Sequence, residues 1–358
     1  MRNKYEERVS RLQAKFAEAG IDGLYISHVE NVSYFTGKKG NDCTLWITTT
    51  RATILTDFRY REMAQELTWL DFYETNGTTA RPIDLLKACP YAKIGVERDY
   101  LSLNDYLDFT KNLEGKEIIP VEGLVEDLRM VKDEEEIALT RQAEEISAQA
   151  FLHMLDYLKP GISERDAAVE LEHWMLTHGG EGISFDTICV SGAKSSYPHG
   201  VPDGKRIEAG DFVTMDYGTM VGGYHADMTR TVAIGYATEE MKRVYETVRL
   251  AQQTCCDRIH AGMKGDECHK IAADIIAEAG YGDYFGHGLG HGTGLEIHEA
   301  PRFSPAYPHV IKENTIMSIE PVIYLPGKFG VRIEDLCIVK ADGIINLTLT
   351  APKELIII

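Results

Sequence analysis

Two predicted hairpins in the second half of the chain each carry an acidic residue on either arm. The acids lie symmetrically about turn-like midpoints: Asp216 and Asp227 about Val221/Gly222, and Glu320 and Glu334 about Gly327. Symmetric pairing would make each pair cross-strand neighbours with Cβ atoms roughly 5 Å apart, where like charges destabilise a sheet. A shared proton, a basic partner or a cation would offset this repulsion, and a divalent ion can serve several carboxylates at once. With an added imidazole, the acid pairs predict a metal site.

A glycine-rich segment between the two hairpins supplies the imidazoles. Residues 286–301 read GHGLGHGTGLEIHEAP and contain His287, His291 and His298. The glycines miss the G-x-G-x-x-G spacing and no G-K-S or G-K-T follows, which argues against a nucleotide-binding loop. An H-E-x-x-H zinc helix is excluded because Arg302 stands where its second histidine would be, directly after a proline.

The whole set of residues carries the prediction, since a single Asp, Glu or His of this kind is usually solvated or structural. The set has four carboxylates and at least one imidazole, without a thiolate. Such an oxygen-rich set favours a hard ion such as Mn²⁺, whereas structural zinc sites commonly use Cys and His. Five ligands exceed what one catalytic ion needs, so two ions roughly 3.5 to 4 Å apart, activating a water, fit better.

Composition excludes several classes of partner. The 358-residue chain has a net charge of −19 and no run of Lys and Arg that could neutralise a nucleic acid or bind an anionic membrane surface. Residues 1–11 are charged where a signal peptide would be apolar, and no apolar stretch approaches a membrane span, so we expect a cytoplasmic protein. Seven scattered cysteines are interpreted as reduced thiols, mostly in the core.

The pattern of predicted elements divides the chain into two domains. Residues 1–124 alternate helical and strand-like segments and contain no catalytic motif. The predicted elements are a helix over residues 3–19 that ends at Gly20, and strands at 24–27, 44–49, 52–56, 93–97 and 117–121. A linker is predicted at 125–133. Residues 134–358 form an α+β domain with all the candidate chemistry; its helices begin at the capping residues Asp133 and Ser163 and, further on, span 238–260 and 265–279.

Strand periodicity places the acids within apolar segments. The run DFVTMDYG places Phe212, Thr214 and Asp216 on one face of a strand. The run SIEPVIY is predicted to be a single strand in which Glu320 has apolar neighbours, as has Glu334 on the return arm. An ionised carboxylate in such surroundings is costly unless it is paired or metal-bound.

The order of the acids and the histidine resembles that of a known family. The motifs DYG, DMTRT, GHGLGHGTGLEIHE, IEP and RIED, over residues 130–358, resemble those of the pita-bread metallopeptidases, which include aminopeptidase P, prolidase and methionine aminopeptidase. The first domain resembles the creatinase-type N-terminal domain of the Xaa-Pro branch. The resemblance implies an α/β creatinase-like domain followed by an α+β pita-bread catalytic domain.

The resemblance also implies a role for each ligand. Asp216 would bind one ion, His291 and Glu320 the other, and Asp227 and Glu334 would bridge both. His291 is preferred over its neighbouring histidine because the family's ligand lies seven residues before a second functional histidine. The ions would be Mn²⁺, with Co²⁺ or Zn²⁺ as alternatives.

Further residues receive catalytic and substrate-side roles from the same resemblance. His199, in YPHG, and His298 would stabilise the tetrahedral intermediate or shuttle its proton, and Glu320 would accept the proton of the attacking water. The substrate-side candidates are His287, Arg302 and Arg332. Of these, Arg302 would meet the free carboxylate of a dipeptide or else be a surface arginine, and Arg332 would orient Glu334.

The implied activity is removal of the N-terminal residue from peptides or dipeptides with proline in second position, by a protein expected to be a homodimer. Three alternatives remain at this stage. Methionine aminopeptidase shares the ligands but usually lacks such an N-terminal domain. Creatinase shares the fold without the complete metal set, and a non-catalytic binding protein of this fold would tend to lose ligands.

Overall fold

The chain divides in the computed structural model into an N-terminal unit, residues up to Arg129, and a C-terminal unit, Met130–Ile358. The structure describes residues 3–39, 42–75 and 82–358, so the first two residues of the predicted domain 1–124 lie outside the described part. The linker predicted at 125–133 contains a helix, Glu126–Arg129, whose Leu128 and Arg129 are buried. Its first half is therefore ordered structure and belongs to the N-terminal unit.

The N-terminal unit is built on a six-stranded mixed sheet with the strand order β4-β3-β2-β1-β5-β6. Its elements are α1 Lys4–Gln13, α2 Phe16–Ala19, β1 Gly23–Ile26, α3 Val29–Thr36, β2 Thr44–Thr48, β3 Ala52–Thr56, α4 Arg61–Glu66, β4 Asp71–Glu74, α5 Ile83–Ala88, β5 Lys93–Glu97, α6 Leu103–Asn112, β6 Glu117–Val121 and α7 Glu126–Arg129. The five strands predicted from the sequence are present, and β4 adds an edge strand parallel to β3.

The helix predicted over residues 3–19 is wrong in one respect, because it is two helices. The chain turns at Ala14 and Lys15, where the N–H of Lys15 donates to the carbonyl of Leu12 at 3.0 Å. This bond spans three residues, as in a 3₁₀ turn, instead of the four residues of an α-helix. Gly20 ends α2 in the left-handed conformation with φ of 68°, as predicted for a C-terminal cap.

The C-terminal unit contains two main sheets, with the strand orders β11-β8-β7 and β13-β12-β14-β17-β18, and two short ribbons, β9-β10 and β15-β16. Its elements are α8 Glu134–Tyr157, α9 Glu164–Thr177, β7 Ile188–Ser191, β8 Phe212–Tyr217, β9 Met220–Val221, β10 Tyr224–His225, β11 Met228–Ala233, α10 Glu239–Arg258, α11 Gly265–Glu278, β12 Gly290–Gly292, β13 Glu299–Phe303, β14 Ile316–Ile319, β15 Val322–Leu325, β16 Phe329–Arg332, β17 Asp335–Lys340 and β18 Gly343–Asn346.

The predicted helix starts are confirmed in this unit. Asp133 accepts hydrogen bonds from the N–H groups of Glu135 and Glu136, and the Glu136 carboxylate accepts one from the Asp133 N–H, which closes a capping box. Ser163 caps α9 by accepting from the N–H of Asp166. Both caps satisfy amides that a helix leaves free at its first turn.

Two apolar cores enclose the polar centre of this unit. In the first core, helices α8 and α9 pack with β7, β8 and β11, and Met215 and Tyr217 of β8 are buried there. Helices α10 and α11 pack with β14 to β17, together with Phe212 from the opposite face of β8. Because side chains alternate along a strand, Asp216 lies on the Phe212 face and not in the first core. The predicted sharing of one face is therefore confirmed.

Within the described part of the chain, none of the helices combines the length and the apolar character needed to cross a bilayer.

Candidate metal centre

The pairing in the first acid hairpin differs from the predicted one by two residues. Asp216 pairs with Thr229, and not with Asp227. Gly222 and Gly223 form the turn with φ of 58° and 80°, as two-residue hairpin turns require, and this moves the pairing centre from Val221/Gly222 to Gly222/Gly223. The predicted direct opposition of the two aspartates is therefore wrong.

The second acid hairpin is centred where the sequence predicts. Gly327 has φ of 74°, and Val322 pairs with Arg332 across it. Farther from the turn, Ile319 pairs with Asp335 in the same register. Glu320 and Glu334 lie between these two ladders, where the N–H of Glu320 donates to the carbonyl of Leu289 and the N–H of Glu334 to that of Thr229. The single strand predicted for SIEPVIY is wrong, because it is broken after Ile319, where the proline that follows Glu320 has no N–H to donate.

Three of the predicted ligands converge closely. One ligand atom each from Asp227, His291 and Glu334 lie within 4.8 Å of one another. The Nε2 atom of His291 is 3.3 Å from Oδ2 of Asp227 and 3.6 Å from Oε1 of Glu320. Asp216 adjoins this group, because Thr229 pairs with Asp216 on one side and bridges to Glu334 on the other.

The His291 ring is oriented by its own strand. Its Nδ1 is 3.0 Å from the carbonyl oxygen of Gly292, so Nδ1 is assigned as the donor and the Nε2 lone pair points to the carboxylates. Its backbone N–H donates to Oγ of Ser318 at 3.0 Å, and that hydroxyl donates to Oε1 of Glu320 at 3.2 Å. Strands β12 and β14 approach closely here, since a Cβ at Gly290 would lie 2.0 Å from the Ser318 carbonyl oxygen.

Arg332 links Asp216 to the Glu334 side of the cluster. Its guanidinium pairs directly with Asp216 and with the hydroxyl of Tyr324. It reaches Glu334 only through Thr229, because Nε of Arg332 donates to Oγ1 of Thr229 at 2.9 Å and that hydroxyl donates to Oε2 of Glu334 at 2.6 Å. Orientation of Glu334 by Arg332 through this hydroxyl stays a prediction.

The electrostatics of the cluster fit a cation. Burial, followed by repulsion from neighbouring carboxylates, raises the pKa of Asp227 and of Glu334 well above the usual range for acids. Burial raises the pKa of Glu320 to about 7, although His291 and Arg332 oppose the shift. The Oδ1 atom of Asp216 is buried and has no hydrogen-bond partner among the residues that the structure describes. Divalent cations would pair these carboxylates and satisfy that oxygen, so the donor set fits a metal centre.

The cluster lines a cavity of about 890 Å³. The predicted residues His199, His287 and His298 also line it, with Tyr324 and Arg332. The rings of His298 and His291 meet edge to face with centroids 4.4 Å apart. Burial and the nearby His291 lower the pKa of His298 to about 4, so its imidazole is neutral near neutral pH.

Arg302 is the one predicted residue that does not line this cavity. It pairs in register with His291 on the adjacent strand and is half-buried. In the part of the chain that the structure describes, no carboxylate forms an ion pair with its guanidinium. Burial lowers the pKa of Arg302, while the carboxylate of Glu320 opposes this shift.

Two supporting residues escaped the sequence analysis. The Thr229 hydroxyl donates to the Glu334 carboxylate, as described above. Its position two residues after Asp227, on the same face of the strand, indicates from sequence that it lies near the ligands. Glu144 of α8 is fully buried and accepts hydrogen bonds from the Asp227 N–H at 3.2 Å and from Thr348 Oγ1 at 2.7 Å. An acid between Thr140 and Ala148 on the buried face of an amphipathic helix was the signal for Glu144.

The fold and the site together define a class of enzyme. Residues 138–341 match metallopeptidase family M24, and residues 8–131 match the creatinase/prolidase N-terminal domain. The chain therefore belongs to metallopeptidase family M24, and the predicted fold class, a creatinase-like domain followed by a pita-bread catalytic domain, is confirmed. It is a metallo-exopeptidase of that family, whose enzymes use a dinuclear centre of divalent metal ions.

Particular relatives have names that describe their substrates. The chain is 36% identical over 355 residues to the Xaa-Pro dipeptidase of Pyrococcus furiosus, covering 96% of this chain and 98% of that protein. Among solved structures, the Xaa-Pro dipeptidase from Bacillus anthracis is 39% identical with a TM-score of 0.96 over 99% of this chain and 100% of that one. The X-Pro aminopeptidase from Thermotoga maritima is 36% identical with a TM-score of 0.88 over 98% of this chain and 99% of that one.

Proposed function

We propose that this protein is an Xaa-Pro dipeptidase, which hydrolyses the bond between an N-terminal residue and a following proline. The observation that carries the proposal is the group formed by Asp227, His291 and Glu334, with ligand atoms within 4.8 Å of one another. It lies in a cavity of about 890 Å³, large enough for a small peptide. The names of relatives at 36% and 39% identity supply the substrate class.

The ligand roles in this proposal are those that the family resemblance implies. Asp216 would hold one ion, His291 and Glu320 would hold the other, and Asp227 and Glu334 would serve both. The oxygen-rich donor set favours Mn²⁺ as the ion, with Co²⁺ or Zn²⁺ as alternatives. When bound, the pair of ions would lower the pKa of a water and polarise the scissile carbonyl.

The protein's own side chains would move the protons. The Glu320 carboxylate, whose Oε1 is 3.6 Å from Nε2 of His291, would take the proton of the attacking water. His298 and His199, which both line the cavity, donate hydrogen bonds to the tetrahedral intermediate or pass its proton to the leaving proline nitrogen. His287 and Tyr324 lie at the same wall, with ring centroids 6.1 Å apart, and contact the substrate side chains.

Arg302 is proposed to attract the free carboxylate of the dipeptide. A half-buried guanidinium with no ion-pair partner among the described residues suits this role because the bound carboxylate would supply one. The limits 1–124 and 134–358 are retained as a proposal for the creatinase-like and catalytic domains, while helix Glu126–Arg129 of the predicted linker 125–133 belongs to the N-terminal unit. The cytoplasmic location and the homodimer remain predictions.

Three peptides test the proposal. Purified protein supplied with Mn²⁺ or Co²⁺ is offered an Xaa-Pro dipeptide, an Xaa-Pro-Xaa tripeptide and a Met-Ala peptide. We expect cleavage of the dipeptide, with the tripeptide cleaved more slowly or not at all. Cleavage of the Met-Ala peptide alone would support a methionine aminopeptidase-like enzyme. Hydrolysis of none of them by metal-loaded protein would support a non-catalytic binding protein.

A further inference from the structure

His199 lies on a loop without regular secondary structure. The loop follows a 3₁₀ turn, Gly192–Ser196, and runs to Asp203, and its Pro198 and Val201 line the cavity with His199. The His199 side chain is exposed. An exposed loop keeps a side chain in a reacting geometry only when the scaffold fixes the ends of the loop.

Glu164, the first residue of α9, contacts both ends of this loop. Its carboxylate is fully buried. Its Oε1 accepts hydrogen bonds from the N–H of Ser191 at 2.8 Å and from the Ser191 hydroxyl at 2.9 Å, before the loop. Its Oε2 accepts from Nζ of Lys194, in the 3₁₀ turn, at 2.7 Å and from the N–H of Asp203, the last residue of the loop, at 3.4 Å. One carboxylate therefore joins chain positions that are twelve residues apart.

Charged side chains and helix amides strengthen the two attachments. Lys194 lies between two carboxylates, with Nζ 2.7 Å from Oε2 of Glu164 and 2.7 Å from Oδ2 of Asp203. The N–H of Arg165 donates to the carbonyl of Asp203 at 3.0 Å, so the free amides of the first helical turn also hold the end of the loop. The charge-assisted hydrogen bonds of Lys194 are about twice as strong as neutral ones.

The start of the loop is also attached to the strand that carries Arg332. The N–H of Gly330 donates to Oγ of Ser195 at 2.9 Å, and a Cβ at Gly330 would lie 2.3 Å from the Ser195 carbonyl oxygen. The attachment by Glu164 and this close contact fix the loop relative to the metal cluster, since Arg332 pairs with Asp216.

We propose that Glu164 is a positioning residue for His199: its carboxylate, with Lys194, joins the two ends of the 191–203 loop and so holds the imidazole at the cavity. The inference rests on the proposed function of His199 toward the substrate. Glu164 lies on α9 and acts only through the loop. The competing interpretation is that Glu164 merely stabilises the C-terminal unit as a buried, paired charge.

Hydrogen exchange tests the attachment without reference to activity. The variants are Glu164→Gln, Lys194→Met and the control Asp166→Asn, which removes an exposed carboxylate from the same helical turn. In metal-loaded protein we expect the 191–203 segment to exchange about tenfold faster in the first two variants and at the wild-type rate in the control, with β8 and β11 unchanged.

Unchanged exchange at 191–203, or an equal rise throughout the C-terminal unit, would overturn the proposal. Lys194→Met carries the test if Glu164→Gln does not fold, because the Lys194 side chain is 19% exposed and its removal leaves the Ser191 contacts in place.

A double-mutant cycle then connects the loop to catalysis. We expect Glu164→Gln to lower kcat on an Xaa-Pro dipeptide about tenfold, with KM and bound metal nearly unchanged, and to have no further effect when His199→Ala is present. Losses that simply add would show that Glu164 does not act through His199. If the wild-type protein cleaves no Xaa-Pro peptide, the proposed function fails, whereas the exchange result still decides whether Glu164 holds the loop.

Discussion

The hydroxyl of Thr229 joins two charged residues of the metal cluster: it donates to Oε2 of Glu334 at 2.6 Å and accepts from Nε of Arg332 at 2.9 Å. Thr229 is fully buried, and water therefore cannot replace its hydroxyl without rearrangement. The contact fixes which oxygen of Glu334 remains free to bind a cation. A neutral side chain thus transmits the position of the guanidinium to a carboxylate.

Thr229→Val should weaken metal binding, because it removes this hydroxyl while keeping the shape of the side chain. We expect the dissociation constant for Mn²⁺, measured by calorimetry, to rise about 10–100-fold, with activity partly restored at high metal concentration. The matched control is Thr36→Val in the N-terminal unit, where a buried threonine hydroxyl donates to the Val32 carbonyl at 2.8 Å. Equal metal affinities in the wild type and Thr229→Val would contradict the assigned role.

Asp227→Ala and Glu334→Ala should each abolish turnover, because either change removes a carboxylate proposed to reach both ions. We expect kcat/KM on an Xaa-Pro dipeptide to fall at least about 10³-fold, with less metal bound per chain by elemental analysis. Asp342→Ala, which removes an exposed carboxylate from the β17–β18 turn, should leave both quantities unchanged. Full activity in either cluster variant would remove the assignment of these ligands.

Arg302→Met should weaken the binding of dipeptides and leave the hydrolysis of substrates without a free carboxylate unchanged. If the guanidinium meets the substrate carboxylate, KM for an Xaa-Pro dipeptide rises about 10–100-fold, whereas the slower hydrolysis of the corresponding Xaa-Pro amide does not change. The amide, which lacks the carboxylate, serves as the matched control for the variant. An equal loss on both substrates would indicate that Arg302 supports the neighbouring His291 instead of contacting the substrate.

Glu144→Gln should change the pH dependence of stability of the metal-free protein. Burial raises the pKa of Glu144 to about 8 in the folded state, from 4.5 in the unfolded chain. Between these values the folded protein keeps a proton that the unfolded chain releases, so this group makes folding less favourable as pH rises. The variant lacks this effect.

The stability of Glu144→Gln relative to the wild type should therefore increase from pH 5 to pH 8 by a few kcal/mol, on the order of 1.4 kcal/mol per pH unit. Urea unfolding followed by circular dichroism at pH 5, 6.5 and 8 measures it. A difference that does not vary with pH would show that Glu144 is ionised in both states over this range.

Local patterns predicted most elements of the fold. The caps at Asp133 and Ser163 mark helix starts because their side chains satisfy amides within one turn. The alternation along β8 places Asp216 on the face opposite Met215 and Tyr217 because side chains on a strand have a period of two. The break after Ile319 also has a local cause, because the proline at position 321 has no N–H to donate to a neighbouring strand.

The sequence by itself determined the candidate ligand types and their order, because residue chemistry and motif spacing are local properties of the chain, and its resemblance to a known family predicted the class of enzyme. Only the tertiary structure decided which groups meet. The pairing of Arg332 with Asp216, the support of Glu334 by Thr229 and the attachment of the 191–203 loop to Glu164 join residues 116, 105 and 27 positions apart. Such contacts depend on the register of β8 with β11 and on the packing of α9, which no spacing along the chain encodes.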